Sequence, residues 1–180
     1  MQFIETKIAG VYVLEIERKD DKRGFFARVF CRDEFKQQGL VDDFPQHNVG
    51  FNLRKGTLRG MHYQRDPHAE TKVVRCTRGA AFDVALDLRP GSATFKRWVA
   101  VEISAENHRM LYIPTGCAHG YQTLSDDTEL HYMTSQLYVA QSATGVRHDD
   151  PAFAIEWPLP VTCISDADMG WPDFSPASPR

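Results

Sequence analysis

Gly56-Thr57-Leu58-Arg59-Gly60-Met61-His62-Tyr63-Gln64 sets two glycines around a short apolar and basic run and ends beyond a histidine. Glycines in such a run signal a tight turn or a close backbone approach. Read as a strand, the stretch alternates: Arg59 and Met61 share one face, His62 and Gln64 the other. A histidine titrates near neutral pH and so can take or give a proton. An arginine close by holds a phosphate or carboxylate through a two-pronged fork. Taken alone, the stretch fits a plain strand with a hydrogen-bonded histidine equally well.

A second stretch, Pro114-Thr115-Gly116-Cys117-Ala118-His119-Gly120, reads P-x-G-x-x-H. Together the two resemble the paired signature of the cupin jelly roll. That resemblance implies an all-β fold, a cupin-type double-stranded β-helix. The cupin metal site is incomplete here: Gln64 stands where the first motif has its second histidine, and Thr123 where the second motif has asparagine. The acidic ligand is not at its usual spacing either. Two histidines remain, whereas a catalytic zinc usually has three protein ligands. The expectation is a pocket with no metal.

With 180 residues and 42% hydrophobic content, the chain has the size for one domain with a proper core, taken as 1–180. A net charge of -3 and no long basic run make nucleic acid an unsuitable partner. An anionic ligand must instead meet a local cluster of Arg, Lys and His. Cys31, Cys76, Cys117 and Cys163 are scattered without a C-x-x-C and read as reduced thiols in partly buried positions. The first residues, Met-Gln-Phe-Ile-Glu-Thr-Lys-Ile, lack the apolar run of a signal peptide, and no stretch approaches membrane-spanning length. A cytoplasmic protein with no membrane partner is expected.

Val11 to Arg18 reads as a strand, Asp20 to Gly24 as a charged turn, and Phe25 to Phe30 as the next strand. Asp33 to Leu40 is the one convincing helix, short and near the N-terminus, with Asp33 as N-cap and Gly39 as its stop. From Gln46 short strands follow in series. Ala80 to Leu88 alternates, with Phe82, Val84, Leu86 and Leu88 on a core face and Asp83 and Asp87 opposite, toward either solvent or a polar pocket. Phe95 to Ile103, Met110 to Ile113 and Thr128 to Tyr138 are further strands, a spacing that suits a sandwich or barrel. The last forty or so residues, rich in Pro, Asp and Trp, read as an irregular wrapping segment. Exposed sheet edges invite pairing, so a dimer through an edge strand is expected.

The order of residues now carries a more specific likeness. Arg23-Gly24-x-Phe26, Gln46-x-Asn48, Leu58-Arg59-Gly60-x-His62-Tyr63-Gln64, Lys72-Val73-Val74-Arg75, Asp83-Val84-x-x-Asp87-Leu88-Arg89, Ile113-Pro114-x-Gly116-x-Ala118-His119-Gly120, Tyr132 and Ser165-x-x-Asp168 span about Arg23 to Asp168. This series resembles the dTDP-4-dehydrorhamnose 3,5-epimerase family. The resemblance implies a jelly-roll homodimer that epimerises a nucleotide-diphospho-4-keto-6-deoxyhexose without metal or organic cofactor. Such chemistry needs a base on one side of a carbon, an acid on the other and a group to hold the enolate oxygen. By similarity His62 is the base, Tyr132 the opposite proton donor, Lys72 the enolate stabiliser, and Asp168 the carboxylate that fixes the His62 tautomer and raises its basicity. Arg59 and His119 would hold the diphosphate, Gln46 and Asn48 the nucleotide or sugar, and Tyr138 would stack on the base. Phe26 is placed with Arg23 in the binding set, and Arg23 would reach the nucleotide from its own subunit or a partner's. The resemblance leaves Asp83 open between orienting a pocket residue and pointing outward.

The chain also departs from the family's pattern. Arg28 stands where thymidine-linked enzymes typically have Glu, Ala143 where they have Glu, and Ala167 where they often have Lys. A cation at 28 donates hydrogen bonds where a carboxylate accepts them, which leaves CDP and GDP beside dTDP as the nucleotide. An equally simple reading has Arg28 bound to phosphate or a neighbouring acid. A 3,4-ketoisomerase on the same scaffold is the nearest alternative activity, and Tyr132 counts against it. A non-catalytic sugar-binding cupin would have lost His62 or Asp168. A metal-dependent oxygenase lacks its ligands.

Overall fold

The strands of this chain carry apolar residues on both faces, so each sheet must be covered on both sides. The structure, a computed structural model, describes residues 1–174. Residues 175–180, the end of the expected wrapping segment and of the expected 1–180 domain, lie outside the described residues.

Six strands form one antiparallel sheet: β1 (Gln2–Glu5), β2 (Tyr12–Glu15), β10 (Met110–Ile113), β7 (Lys72–Arg78), β12 (Thr128–Thr134) and β5 (Gln46–Asn52), in that order. Five form the other: β13 (Ala143–Gly145), β6 (Leu58–Gln64), β11 (Cys117–Thr123), β8 (Ala80–Asp87) and β9 (Trp98–Ser104). The fold is the expected jelly roll. Between the sheets, Val74, Cys76, Leu111, Ile113 and Leu130 of the first meet Ala81, Ala85, Ile103, Cys117 and Tyr121 of the second. The outer face of the six-stranded sheet, through Leu14, Val73, Met110 and Met133, is covered by α1 (Arg32–Gln37) and the aromatic cluster of Phe35, Phe30 and Phe44. The outer face of the five-stranded sheet, through Met61, Val84, Leu86 and Ala118, is covered by Val146, Phe153, Ile155 and Trp157 of the C-terminal segment.

That second cover makes the apolar side of β8 a core face, as expected, but the core it faces lies outside the roll. Phe82, Val84 and Leu86 face outward onto the C-terminal segment, while Asp83 and Asp87 point between the sheets and are fully buried. Asp87 is satisfied by Arg89, Ser92 and Thr94. Burial works against its ionisation, but these bonds outweigh it and hold the carboxyl well below the usual range.

Other boundaries shift for local reasons. The strand expected over Phe25–Phe30 is only β4 (Gly24–Phe26), paired with β3 (Lys19–Asp21) in a separate exposed hairpin. The chain then turns so that Phe30 can pack edge-on against Phe35 and Phe44. The N-cap position of α1 is held by Cys31, without a side-chain cap bond, and not by Asp33, which lies in the first turn, where an acid complements the helix dipole. Gly39 does end that helix, at φ +68. The C-terminal segment is less irregular than expected: it adds β13 and a one-turn helix, α2 (Asp166–Met169), capped by Ser165. The four cysteines are free; Cys76 and Cys117 are buried, Cys31 is half-buried and Cys163 is exposed.

Candidate active site

The core residues stop short of one end of the two sheets, and polar side chains line what is left: an open cavity of about 1000 Å³. The six-stranded sheet contributes Gln46 and Asn48 from β5, Lys72 from β7, and Tyr132 from β12. The five-stranded sheet contributes Arg59 and His62 from β6 and His119 and Tyr121 from β11. Tyr138, beyond β12, and Asp168, on α2, complete the rim and floor.

Arg59 and His62 reach the same cavity although simple alternation assigns them to opposite faces. The pairing of β6 with β11 explains this. His62 is opposite His119 and Arg59 opposite Tyr121, so three steps on β6 match two on β11. One extra residue on β6 is a β-bulge, which re-aims the side chains beyond it. The expectation that Arg59 shares a face with Met61 is therefore corrected: Met61 packs under the C-terminal cover. Gly60 permits the bulge. It sits at φ +122, and a Cβ there would come within 2.5 Å of Gly120 Cα.

His62 Nε2 lies 2.5 Å from Asp168 Oδ1, and Gly60 N–H donates to Asp168 Oδ2 at 3.3 Å. The carboxylate is buried while the imidazole side chain is 46% exposed to the cavity. Burial would push the Asp168 carboxyl up, but the bonds from His62 and the Gly60 amide outweigh it and hold it below its ordinary value. An ionised Asp168 fixes the imidazole in place. Tyr132 stands on the opposing sheet, and burial pushes its phenol up, against the pull of Arg59. It therefore keeps its proton at neutral pH and can give it.

His119 forms a second pair. Its Nε2 is 2.7 Å from Asp83 Oδ1, and here both partners are buried. That places Asp83 inward, as the group that orients His119. Arg59 Nε donates to Asn52 Oδ1 at 2.8 Å, and Asn52 Nδ2 in turn donates to Tyr121 Oη at 3.2 Å. Lys72 Nζ is 2.7 Å from Glu70 Oε1. Gln46 and Asn48 are bonded to each other, and Gln46 Oε1 accepts from the Tyr138 amide.

Nine of the residues selected from sequence thus meet in one cavity: Gln46, Asn48, Arg59, His62, Lys72, His119, Tyr132, Tyr138 and Asp168. Arg23, Phe26 and Arg28 do not reach it. Arg23 is bonded to Asp21 on the exposed hairpin, Phe26 is 71% exposed, and Arg28 Nη1 is bound to Glu34 at 2.7 Å. The other two departures, Ala143 and Ala167, do line the cavity. Glu70, Asn52, Tyr121 and Trp171 were not selected from sequence. Only Glu70 had a readable signal, as an acid two residues before Lys72 on an extended chain. Among the described residues no group of three or more His, Cys, Asp or Glu is arranged to hold a metal ion. No helix among them is long and apolar enough to cross a membrane.

Three comparisons with known proteins agree with this geometry. A sequence model of dTDP-4-dehydrorhamnose 3,5-epimerase matches residues 5–176. The dTDP-4-dehydrorhamnose 3,5-epimerase of Shigella flexneri is 42% identical over 175 residues, which is 97% of this chain and 96% of that protein. A solved dTDP-6-deoxy-D-glucose-3,5-epimerase of Legionella pneumophila, in complex with dTDP-4-keto-L-rhamnose, superposes with a TM-score of 0.87 at 37% identity, covering 93% of this chain and 89% of that one. A 3'-monoepimerase of Streptomyces bikiniensis, in complex with dTDP-quinovose, superposes with a TM-score of 0.86 at 34% identity, covering 93% and 85%.

Proposed function

The chain belongs to the dTDP-4-dehydrorhamnose 3,5-epimerase family, and from that premise we propose that it inverts carbons beside the ketone of a dTDP-linked 4-keto-6-deoxyhexose. One observation carries the reading. His62 and Tyr132 stand on opposing sheets with the cavity between them, so a base and an acid face one sugar ring from its two sides. His62 takes the proton from the carbon next to the ketone. The electron pair moves into an enolate, whose oxygen accepts a hydrogen bond from Lys72. Tyr132 returns a proton to the opposite face. Each proton-transfer group is typically worth about 10²–10⁴ in rate. Every role is filled by a side chain, so the reaction asks nothing of a metal or organic cofactor.

Arg59 and His119 hold the diphosphate, with Asn52 and Asp83 fixing their orientation. Gln46 and Asn48 bond the nucleoside, and Tyr138, 65% exposed at the rim, stacks on the base. Arg23, Phe26 and Arg28 enter this scheme through a homodimer in which the exposed hairpin reaches a partner's cavity. The edge of β5, unpaired among the described residues and with Val49 and Phe51 exposed, is suited to dimer contact. A cytoplasmic place, beside other enzymes of nucleotide-sugar synthesis, suits such a substrate.

The test is incubation with dTDP-4-keto-6-deoxyglucose in heavy water, followed by NMR. Deuterium at C3 and C5 with inversion at both is expected. Deuterium at C3 alone would place the chain with the Streptomyces bikiniensis monoepimerase. No exchange at either carbon would overturn the reading.

A further inference from the structure

Glu70 and Lys72 are two residues apart on extended chain at the start of β7, so their side chains leave from one face. The amide of Thr71 between them donates to Ser135 Oγ at 2.9 Å. Both charged side chains are deeply buried, with 7% and 10% of their surface exposed. Glu70 Oε1 lies 2.7 Å from Lys72 Nζ, and Nζ also donates to the His62 carbonyl oxygen at 3.2 Å. A lysine ammonium has three N–H donors. Among the described residues two are engaged, and since Lys72 lines the cavity the third is left for a ligand.

A lysine is a compact charge on a flexible four-carbon stem. Unanchored in this cavity, it would be drawn to the substrate's diphosphate, which carries more charge than a ketone oxygen. We infer that Glu70 is a positioning residue for the reaction: it pins the Lys72 ammonium so that its free N–H meets the sugar ketone and stays off the diphosphate. The inference rests on the epimerase reading. When His62 removes the proton and the electron pair reaches the ketone oxygen, a donor is already aimed there, and it sits in a pair that was neutral beforehand. Preorganised donors of this kind act without reorganisation at the moment of reaction. Lys72 itself exchanges no proton and forms no bond.

The experiment compares wild type, Glu70→Gln, Lys72→Met and the double variant, all assayed with dTDP-4-keto-6-deoxyglucose in heavy water. Removing one such donor costs on the order of 10²–10³ in kcat, and losing its anchor is expected to cost at least about tenfold. Glu70→Gln should therefore lower kcat at nearly constant KM, with solvent exchange and inversion falling together, because both follow from the enolate. In the Lys72→Met background Glu70→Gln should cost nothing further, since residues acting as one unit are not additive. Thermal melting and titration with dTDP confirm that each variant is folded and binds. An unchanged kcat, a rise in KM alone, or inversion lost while exchange persists would each overturn the inference; the last would make Glu70 a proton donor. An equal further loss in the double variant would show that Glu70 acts apart from Lys72. Wild-type protein without exchange would instead overturn the epimerase reading, and this inference with it.

Discussion

His62 and His119 are cross-strand partners on β6 and β11, and each sets Nε2 on a carboxylate, yet their side chains are 46% and 9% exposed. The two pairs differ in where the carboxylate comes from. Asp83 lies on β8, the strand next to β11, inside the roll. Asp168 arrives from α2, 106 residues along the chain from His62 and outside the two sheets. A carboxylate from the next strand draws its imidazole down between the sheets and holds it in one orientation. One delivered from outside leaves the imidazole projecting into the cavity. That exposed ring can meet a carbon acid and change its protonation state without charging a sealed interior. In the proposed reaction the same two residue types serve proton transfer in one place and binding in the other.

The sharpest way to break this contrast is to remove each histidine. His62→Ala should cost at least about 10² in turnover while substrate binding survives on Arg59 and His119. Steady-state kinetics with a dTDP-binding titration checks it, and near-normal turnover would end the distinction.

Tyr132→Phe sharpens the contrast from the opposite wall. Exchange needs only the base and the enolate donor, whereas inversion needs the acid as well. The variant should still take up deuterium while inverted product forms about 10²-fold more slowly. Inversion at the normal rate would show that another group reprotonates the enolate.

His119→Ala should move KM and leave kcat nearly intact. A hydrogen bond to a charged group is worth about 1.5–3 kcal/mol, which is roughly tenfold or more in KM. A fall in kcat at constant KM would put the buried pair on the chemical path.

The smallest expected effect is on stability. The Asp168 carboxyl is held below its ordinary value of 3.8, so its ionised form stabilises the fold. That contribution is fully present above the ordinary value and is lost as pH falls through the lower folded one. Asp168→Asn should therefore lower the melting temperature at neutral pH, and the two proteins should converge on acidification below 3.8. Parallel curves down to the most acidic point would show that the pair does not carry this linkage.

Much of the site was legible because its residue types are specific. His62, Lys72, His119, Tyr132 and Asp168 could be chosen from the order of short motifs, and all line or support one cavity. Their faces were less legible. Alternation put Arg59 with Met61, and only the bulge at Gly60 turns Arg59 to the side of His62. Arg23 and Phe26 of the hairpin and Arg28 just beyond it were equally visible in the chain, but nothing local indicates that they stand outside the cavity.

By itself the sequence determined the strand-rich architecture, the end of the first helix at Gly39 and which polar residues are candidates to meet in one cavity. These depend on short-range alternation, on backbone freedom at single glycines and on side-chain chemistry. The tertiary structure decided which face of each strand is inside. The apolar side of β8 is a core face, but its core is the one under Phe153, Ile155 and Trp157, while Asp83 points between the sheets to His119. Period-two alternation separates two faces but does not say which of them another segment covers. That depends on packing between residues far apart in sequence, and the same packing brings Asp168 to His62.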